Sequence, residues 1–389
     1  MKRPKIIYVT FNVYGVGGTV RTVVTQANAL VARGFDVEIA VMQRTQEQPA
    51  FPLDGRVRVV PLTDERAEAP KPDEDGTEDT SWHAGLPEQM SADPLSRRRT
   101  GNLVAYLRGV REGIVVATRA SIALIVRNHL PADVPRIVQE HMHALAHKGV
   151  WRDHVEATYP TFDAIVTLSR SDLDHYAGLF PGVRVRRIPN AVHSLDVPQT
   201  GHAAKVVVTA GRLDENKGFH QLIAAFERVV ERHPDWTLRI YGGGPEEERL
   251  RRMVLKRHLY NNVFVMGPTR ELDRRLAQGS IFAMSSKSEG FGMVLLEAMN
   301  CGLPAVSYAC PIGPREILTG DVDGLLIPEQ DVDALADGIN RLIGDESLRR
   351  KLSDAARRTV AEHYGPDPIA DAWEHLFLEV WKNPSPRPA

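Results

Sequence analysis

The sequence predicts an α/β protein of two doubly wound, Rossmann-like domains, each a parallel sheet covered by helices. Three observations lead there. Short apolar runs recur along the chain, as expected of strands buried on both faces. Between them, apolar residues step by three and four, which builds one face of a helix. Glycine-rich loops follow several of the runs, at the points where such sheets bind ligands.

Taken in order, Lys5–Thr10 (KIIYVT) reads as the first strand. Val20, Val23, Val24, Ala27, Leu30 and Val31 then form a helix face that Gly34 ends, and Asp36–Met42 is the next strand. This strand–loop–helix–strand unit builds parallel sheets. Residues 64–100, rich in Asp, Glu, Pro and Gly, read as a flexible surface insertion. A basic, apolar helix is expected from Leu103 to Ala120, and buried strands at Ile137–Glu140 and Ala164–Leu168. The first domain spans 1–190, and a Pro- and Gly-containing linker covers 191–204. The second domain, 205–366, repeats the rhythm with strands at Lys205–Ala210, Thr237–Tyr241, Val263–Met266, Ile281–Met284 and Ala305–Tyr308. His220–Arg232 is one of its helices. After Pro366, residues 367–389 carry an amphipathic helix expected to return to the first domain.

Composition narrows the function classes. With 48 Lys plus Arg against 50 Asp plus Glu, the chain lacks the global basic excess of a nucleic-acid binder, so none is expected as a partner. Two cysteines, Cys301 and Cys310, are too few for a disulfide framework and read as packing residues in a reducing compartment. The short apolar start reads as a strand rather than a signal peptide, and no run reaches the length of a membrane span. The expectation is a cytoplasmic protein. Arg97–Arg99, Arg108, Arg111 and Arg119 with Leu103, Val104, Leu107 and Val110 offer two readings: peripheral contact with anionic lipid at the inner face of the membrane, or a solvated helix. No feature assigns an oligomeric state.

Chemistry is sought just after each strand. Arg212 and Lys217 stand on one loop before a helix, where both could reach a diphosphate; the competing reading is a solvated loop neutralised by Asp214 and Glu215. Ser285–Met299 places Gly290, Phe291 and Gly292 before a helix whose first turn takes in the N–H groups of Gly292, Met293 and Val294, an anion site. Glu289 and Glu297 could bracket that diphosphate, or be ordinary helix-surface residues. Gly242-Gly243-Gly244 reads as a further close-approach loop. Gly15, Gly17 and Gly18 resemble a dinucleotide fingerprint but fail it, because Val20 occupies the third glycine position; a loop facing another domain's ligand fits better. His141 follows a buried strand and reads as a residue pointing into an interdomain cleft, against a satisfied structural histidine. The Asp-x-Asp pairs at 172, 321 and 331 fit helix starts and a turn better than a metal site.

Together these residues resemble the retaining glycosyltransferases of family 4, whose GT-B fold sets two Rossmann-like domains facing across a cleft. The likeness runs in order over nearly the whole chain: the Gly17-Gly18 loop, His141, Ile188-Pro189-Asn190, Arg212 and Lys217, the Glu289–Glu297 segment, Gly302-Leu303-Pro304 and Gly324–Pro328. The resemblance implies that Arg212 and Lys217 neutralise a leaving diphosphate. It implies that Glu289 holds the donor sugar, Glu297 the ribose, and His141 the sugar from the first domain. The first domain would then serve the acceptor, and the second the nucleotide sugar. It implies a nucleotide-sugar donor, UDP favoured and GDP second, and a hydroxyl acceptor that is a glycan, a lipid-linked species or a small molecule. It implies no cofactor and no metal, and retention of configuration without a protein nucleophile.

The chain departs from that pattern where Ala191-Val192-His193 replaces the usual Gly-Val-Asp, which bears on the linker turn. Pro311–Glu316 resembles a segment of transferases that build surface glycans. Competing readings are a nucleotide-sugar epimerase or phosphorylase of the same fold, or a non-catalytic nucleotide-sugar sensor.

Overall fold

The structure, a computed structural model, describes residues 3–67 and 94–385. The chain divides into two units, Met1–His193 with Pro366–Ala389, and Ser194–Gly365.

The first unit holds seven parallel strands: β1 (Ile6–Thr10), β2 (Val37–Val41), β3 (Arg58–Pro61), β4 (Ile114–Ala117), β5 (Arg136–Gln139), β6 (Ala164–Thr167) and β7 (Val185–Arg187). Their order is β3-β2-β1-β4-β5-β6-β7, so the winding reverses between β1 and β4. Alternate residues feed opposite faces. Ile6, Tyr8, Val37, Ile39, Ile114 and Val116 join one core, with Trp373 and Phe377 of helix Pro366–Lys382. Ile7, Val9, Ala40, Val115 and Ala117 join the other, with Leu103 and Leu107.

The second unit holds β8 (Val206–Ala210), β9 (Thr237–Tyr241), β10 (Val263–Gly267), β11 (Ile281–Met284), β12 (Ala305–Tyr308) and β13 (Gly324–Ile327). The order is β10-β9-β8-β11-β12-β13, again all parallel, with the reversal between β8 and β11. Helix Phe219–Arg232 buries Leu222, Ile223, Phe226 and Val229 in this core beside Leu335, Ile339 and Leu342 of helix Val332–Gly344.

Three expectations need correction. The helix expected at Leu103–Ala120 runs over Pro94–Gly109, and Ile114–Ala117 is strand β4. Ile114-Val115-Val116 is a continuous β-branched run, which a central parallel strand accepts and which the helical pattern around it concealed. The proposed lipid-facing residues Leu103, Val104, Leu107 and Val110 are all core, at 0–8% exposure, so that face has nothing left to offer a membrane. Arg99 pairs with Glu65 and lies over the Phe11 ring, and Arg119 lies over the same ring. The ends of the expected flexible insertion are ordered elements: Arg44 bridges Asp64, and residues 94–100 are helical. Its middle, 68–93, lies outside the described residues. Among the described residues no helix is long and apolar enough to cross a membrane.

Both cysteines are free and fully buried, and burial pushes each thiol up to about 12. Trp373 has no exposed surface and stacks on Phe377 at 5.2 Å between ring centroids. Trp373→Ala should cost about 3–5 kcal/mol of stability. Urea unfolding would show it, and a loss under about 1 kcal/mol would mean that this helix is not part of the core.

Candidate functional site

In a doubly wound sheet the strand-end crevice lies where the winding reverses. In the second unit that point lies between β8 and β11, and the loops after these two strands carry Arg212, Lys217 and Glu289. The loops are joined directly. Lys287 N–H donates to the Asn216 carbonyl (2.8 Å), Asn216 Nδ2 donates to the Ser288 carbonyl (2.8 Å), and Ser285 Oγ donates to the Lys217 carbonyl (3.0 Å). Gly218 sits at φ +62°, and a Cβ there would lie 2.2 Å from the Ser285 carbonyl oxygen. Only glycine allows that approach.

The junction brings Lys217 Nζ to 2.6 Å from Glu289 Oε1, and Ser286 Oγ donates to the same oxygen at 2.6 Å. The side chains are 24% and 8% exposed, so the pair is recessed but reachable. Ser286 has no counterpart among the sequence candidates. Its signal was proximity alone, three residues before Glu289. Of the acids proposed to neutralise this loop, Asp214 stays within it and lies within ion-pair distance of Arg212, while Glu215 is engaged elsewhere. Asp214 accepts from the Lys217 N–H, and Glu215 pairs with Lys287. Arg212 is 74% exposed, 3.8 Å from Asp214.

The triple-glycine loop after β9 does not stand open as expected. Gly242, at φ +143°, packs so tightly that its Cβ would fall 1.8 Å from the Gly211 carbonyl oxygen. Leu213 N–H donates to the Gly243 carbonyl and Glu246 N–H to the Leu213 carbonyl. These glycines are a platform under the Arg212 loop.

Gly292 caps helix Met293–Asn300 in the left-handed region, so Met293 and Val294 form its first turn. There the amide N–H groups have no acceptor within the helix. Gly290 is exposed just before it. Phe291 is 4% exposed and packs edge-on against Tyr364, a core contact. Glu297 is 4% exposed, on the buried side of the helix.

The remaining candidates belong to the first unit. Gly17 is the extended cap of helix Gly18–Ala32, after β1. His141 follows β5. Burial pushes its imidazole down to about 4, with Glu140 pulling upward and Arg119 downward, so the ring is neutral at pH 7. Its Nε2 is shielded from solvent and meets no partner among the described residues.

Beneath His141 lies a cluster that sequence reasoning missed. Glu140 Oε1 accepts the N–H groups of His141 (3.0 Å) and Met142 (2.9 Å). Its Oε2 accepts from Tyr159 Oη (2.5 Å) and lies 2.8 Å from His147 Nε2. Asp172 Oδ1 accepts the Ala144 N–H and meets His143 Nδ1 at 2.6 Å, while Ser169 caps the Asp172 N–H. The other acidic pairs also act locally. Asp323 holds the Thr319 N–H, and Asp331 caps helix Val332–Gly344. The described residues hold no metal-like group of three or more His, Cys, Asp or Glu.

Two predictions follow from these contacts. Gly218→Ala should destabilise the protein by more than about 1 kcal/mol in thermal unfolding, because the native φ and the Ser285 carbonyl both reject a side chain. An unchanged Tm would mean the two loops are not pressed together. The second concerns pH. Burial alone would raise the Glu140 carboxyl, but hydrogen bonds from His147, Tyr159 and Met142 N–H, with the His147 charge, carry it below the model-compound 4.5. Burial would lower His147, but Glu140 carries it above 6.5. The pair's stabilisation is therefore fully present between 4.5 and 6.5. It is lost as pH falls through the Glu140 value or rises through the His147 value. The stability gap between wild type and His147→Ala in urea should peak in that window; a gap flat from pH 4 to 9 would contradict the pairing.

Comparison with known proteins agrees with the fold. Residues 196–359 match the family described as glycosyl transferases group 1. An exopolysaccharide phosphotransferase of Streptomyces coelicolor is 33% identical over 94% of this chain, which spans 40% of that protein's length. An amylovoran biosynthesis glycosyltransferase of Erwinia amylovora is 23% identical over 96% of this chain and 99% of its own. Among solved structures, a TarM variant of S. aureus in complex with fondaparinux, alpha-GlcNAc-glycerol and UDP superimposes with a TM-score of 0.79 at 14% identity, over 96% of this chain and 99% of that one. Residues 196–359 are thus similar to the glycosyl transferases group 1 family, and the chain as a whole has the two-sheet fold of the GT-B glycosyltransferases.

Proposed function

We propose that this protein is a retaining, metal-independent glycosyltransferase that moves a sugar from a nucleotide-sugar donor to a hydroxyl acceptor. A UDP-sugar is the favoured donor and a GDP-sugar the second. The carrying observation is the Lys217–Glu289 pair, fixed at the reversal point between β8 and β11 beside an exposed Arg212. An ammonium has three donors, and Glu289 engages one, which leaves capacity for phosphate oxygens. The UDP and alpha-GlcNAc-glycerol bound in the staphylococcal structure support a UDP donor and a hydroxyl acceptor. The Erwinia relative, an amylovoran biosynthesis glycosyltransferase, supports a role in glycan biosynthesis.

In this reading, departure of the nucleoside diphosphate breaks the anomeric C–O bond and concentrates charge on the terminal phosphate. Lys217, Arg212 and the N–H groups of Met293 and Val294 stabilise that charge, as preorganised donors do. The acceptor hydroxyl attacks on the face that the diphosphate leaves, and its proton passes to the departing phosphate oxygen. Glu289 accepts hydrogen bonds from sugar hydroxyls and does not attack the anomeric carbon. Glu297 takes the ribose, and His141 offers its neutral ring to the sugar. Charge neutralisation by side chains makes a divalent ion unnecessary.

Arg212→Ala, Lys217→Ala and Glu289→Gln should each lower acceptor-dependent UDP release by about 10²-fold or more. Unchanged turnover in all three sinks the assignment. EDTA should leave the rate intact, and NMR of the product's anomeric carbon should show the donor's configuration. Donor conversion without acceptor would instead reveal an epimerase.

A further inference from the structure

The stretch after β5 is held in an unusual way. Two buried carboxylates, Glu140 at 2% and Asp172 at 2% exposure, take the backbone N–H groups of residues 141, 142 and 144. Glu140 is saturated by four donors: two N–H groups, Tyr159 Oη and His147 Nε2. Tyr159 has no exposed surface and His147 7%. Burying a carboxylate costs several kcal/mol unless it is fully hydrogen-bonded, and an apolar side chain usually stabilises a fold at least as well. The cluster therefore has a use beyond stability. What it fixes is the turn that carries His141, whose Nε2 is shielded from solvent and unpartnered among the described residues.

We propose that Glu140 is a positioning residue for the transfer reaction: its carboxylate, held by Tyr159 and His147, locks the 141–142 turn so that the His141 ring is presented in one orientation. This rests on the reading of His141 as a residue of the transfer site. Glu140 itself touches no substrate. It acts by removing the freedom of the turn, and preorganisation of this kind appears in kcat more than in donor KM.

A double-mutant cycle tests it. Glu140→Ala should lower kcat by about 10²-fold, the scale of a misplaced group, with donor KM within about threefold of wild type. In a His141→Ala background the same change should lower kcat by less than about twofold, because residues acting as a unit are not additive. Glu140→Gln should rescue, since an amide oxygen still accepts both N–H groups while its NH₂ can face Tyr159 and His147. A full loss repeated in the His141→Ala background would overturn the proposal and leave the glycosyltransferase reading intact. So would Glu140→Gln failing as badly as alanine at unchanged Tm. Hydrogen exchange of the 141–146 amides reads the clamp without any activity. Exchange should quicken there in Glu140→Ala and stay slow in Glu140→Gln, and an unaltered pattern in Glu140→Ala would overturn the proposal even if no transfer were found.

Discussion

The contact between Gly218 and the Ser285 carbonyl sets the geometry of the second unit's site. β8 and β11 are neighbours because the winding reverses there, and their outgoing chains head toward opposite faces of the sheet. Such reversal opens a crevice. Here the crevice floor is drawn closed by one main-chain hydrogen bond and two from side chains to carbonyls between the two loops. A side chain at residue 218 would force them apart and carry Lys217 away from Glu289. The platform at Gly242 does the same from below, since it leaves the Arg212 loop no room to sink. Two glycines thus define where two charged side chains can be, without touching either.

The charges differ in how far they are fixed. Lys217 is recessed and paired, so its position is largely settled before any ligand arrives. Arg212 is solvated and long, and must give up rotamer freedom to bind. A recessed ammonium is a good point charge near a diphosphate, while a mobile guanidinium can follow the phosphate as charge shifts. The pairing also answers why a lysine can sit there alone. Glu289 neutralises it in the free protein, at close range and low solvent exposure, and in the proposed reading an arriving diphosphate would change the partner rather than create the site.

Much of this was legible in the residues. The alternation of apolar runs and amphipathic helices fixes the doubly wound class, because strands buried on both faces cannot read otherwise. That Arg212, Lys217 and Glu289 stand on adjoining strand-end loops was legible because strand ends are few and the rule for ligand position is topological. Other features were not. Strand β4 hid behind a helix-like pattern, and β3 (RVVP) and β7 (VRR) are short, carry arginines and hold no more than two valines in a row. The role of Gly242-Gly243-Gly244 was misjudged because a glycine's reason, ligand approach or backbone approach, depends on what lies opposite. The Glu140 cluster was invisible for the same cause. Its members span residues 140–172, and nothing local marks a glutamate at the end of a buried strand as the acceptor for the two residues after it.

The two units use charge burial in opposite ways. In the second, Glu289 accepts from Lys217 and Ser286 on one carboxylate oxygen, and the lysine, 24% exposed, is a partner that in the proposed reading a ligand could take over. In the first, Glu140 is enclosed and every lone pair is engaged, so no ligand can compete for it. A carboxylate that can exchange partners suits recognition, and one that cannot suits support. The distinction rests on the number and kind of donors, since both side chains have little exposure. In the proposed reading it separates a residue that would meet substrate from one that would hold others in place, even though both are glutamates at strand ends.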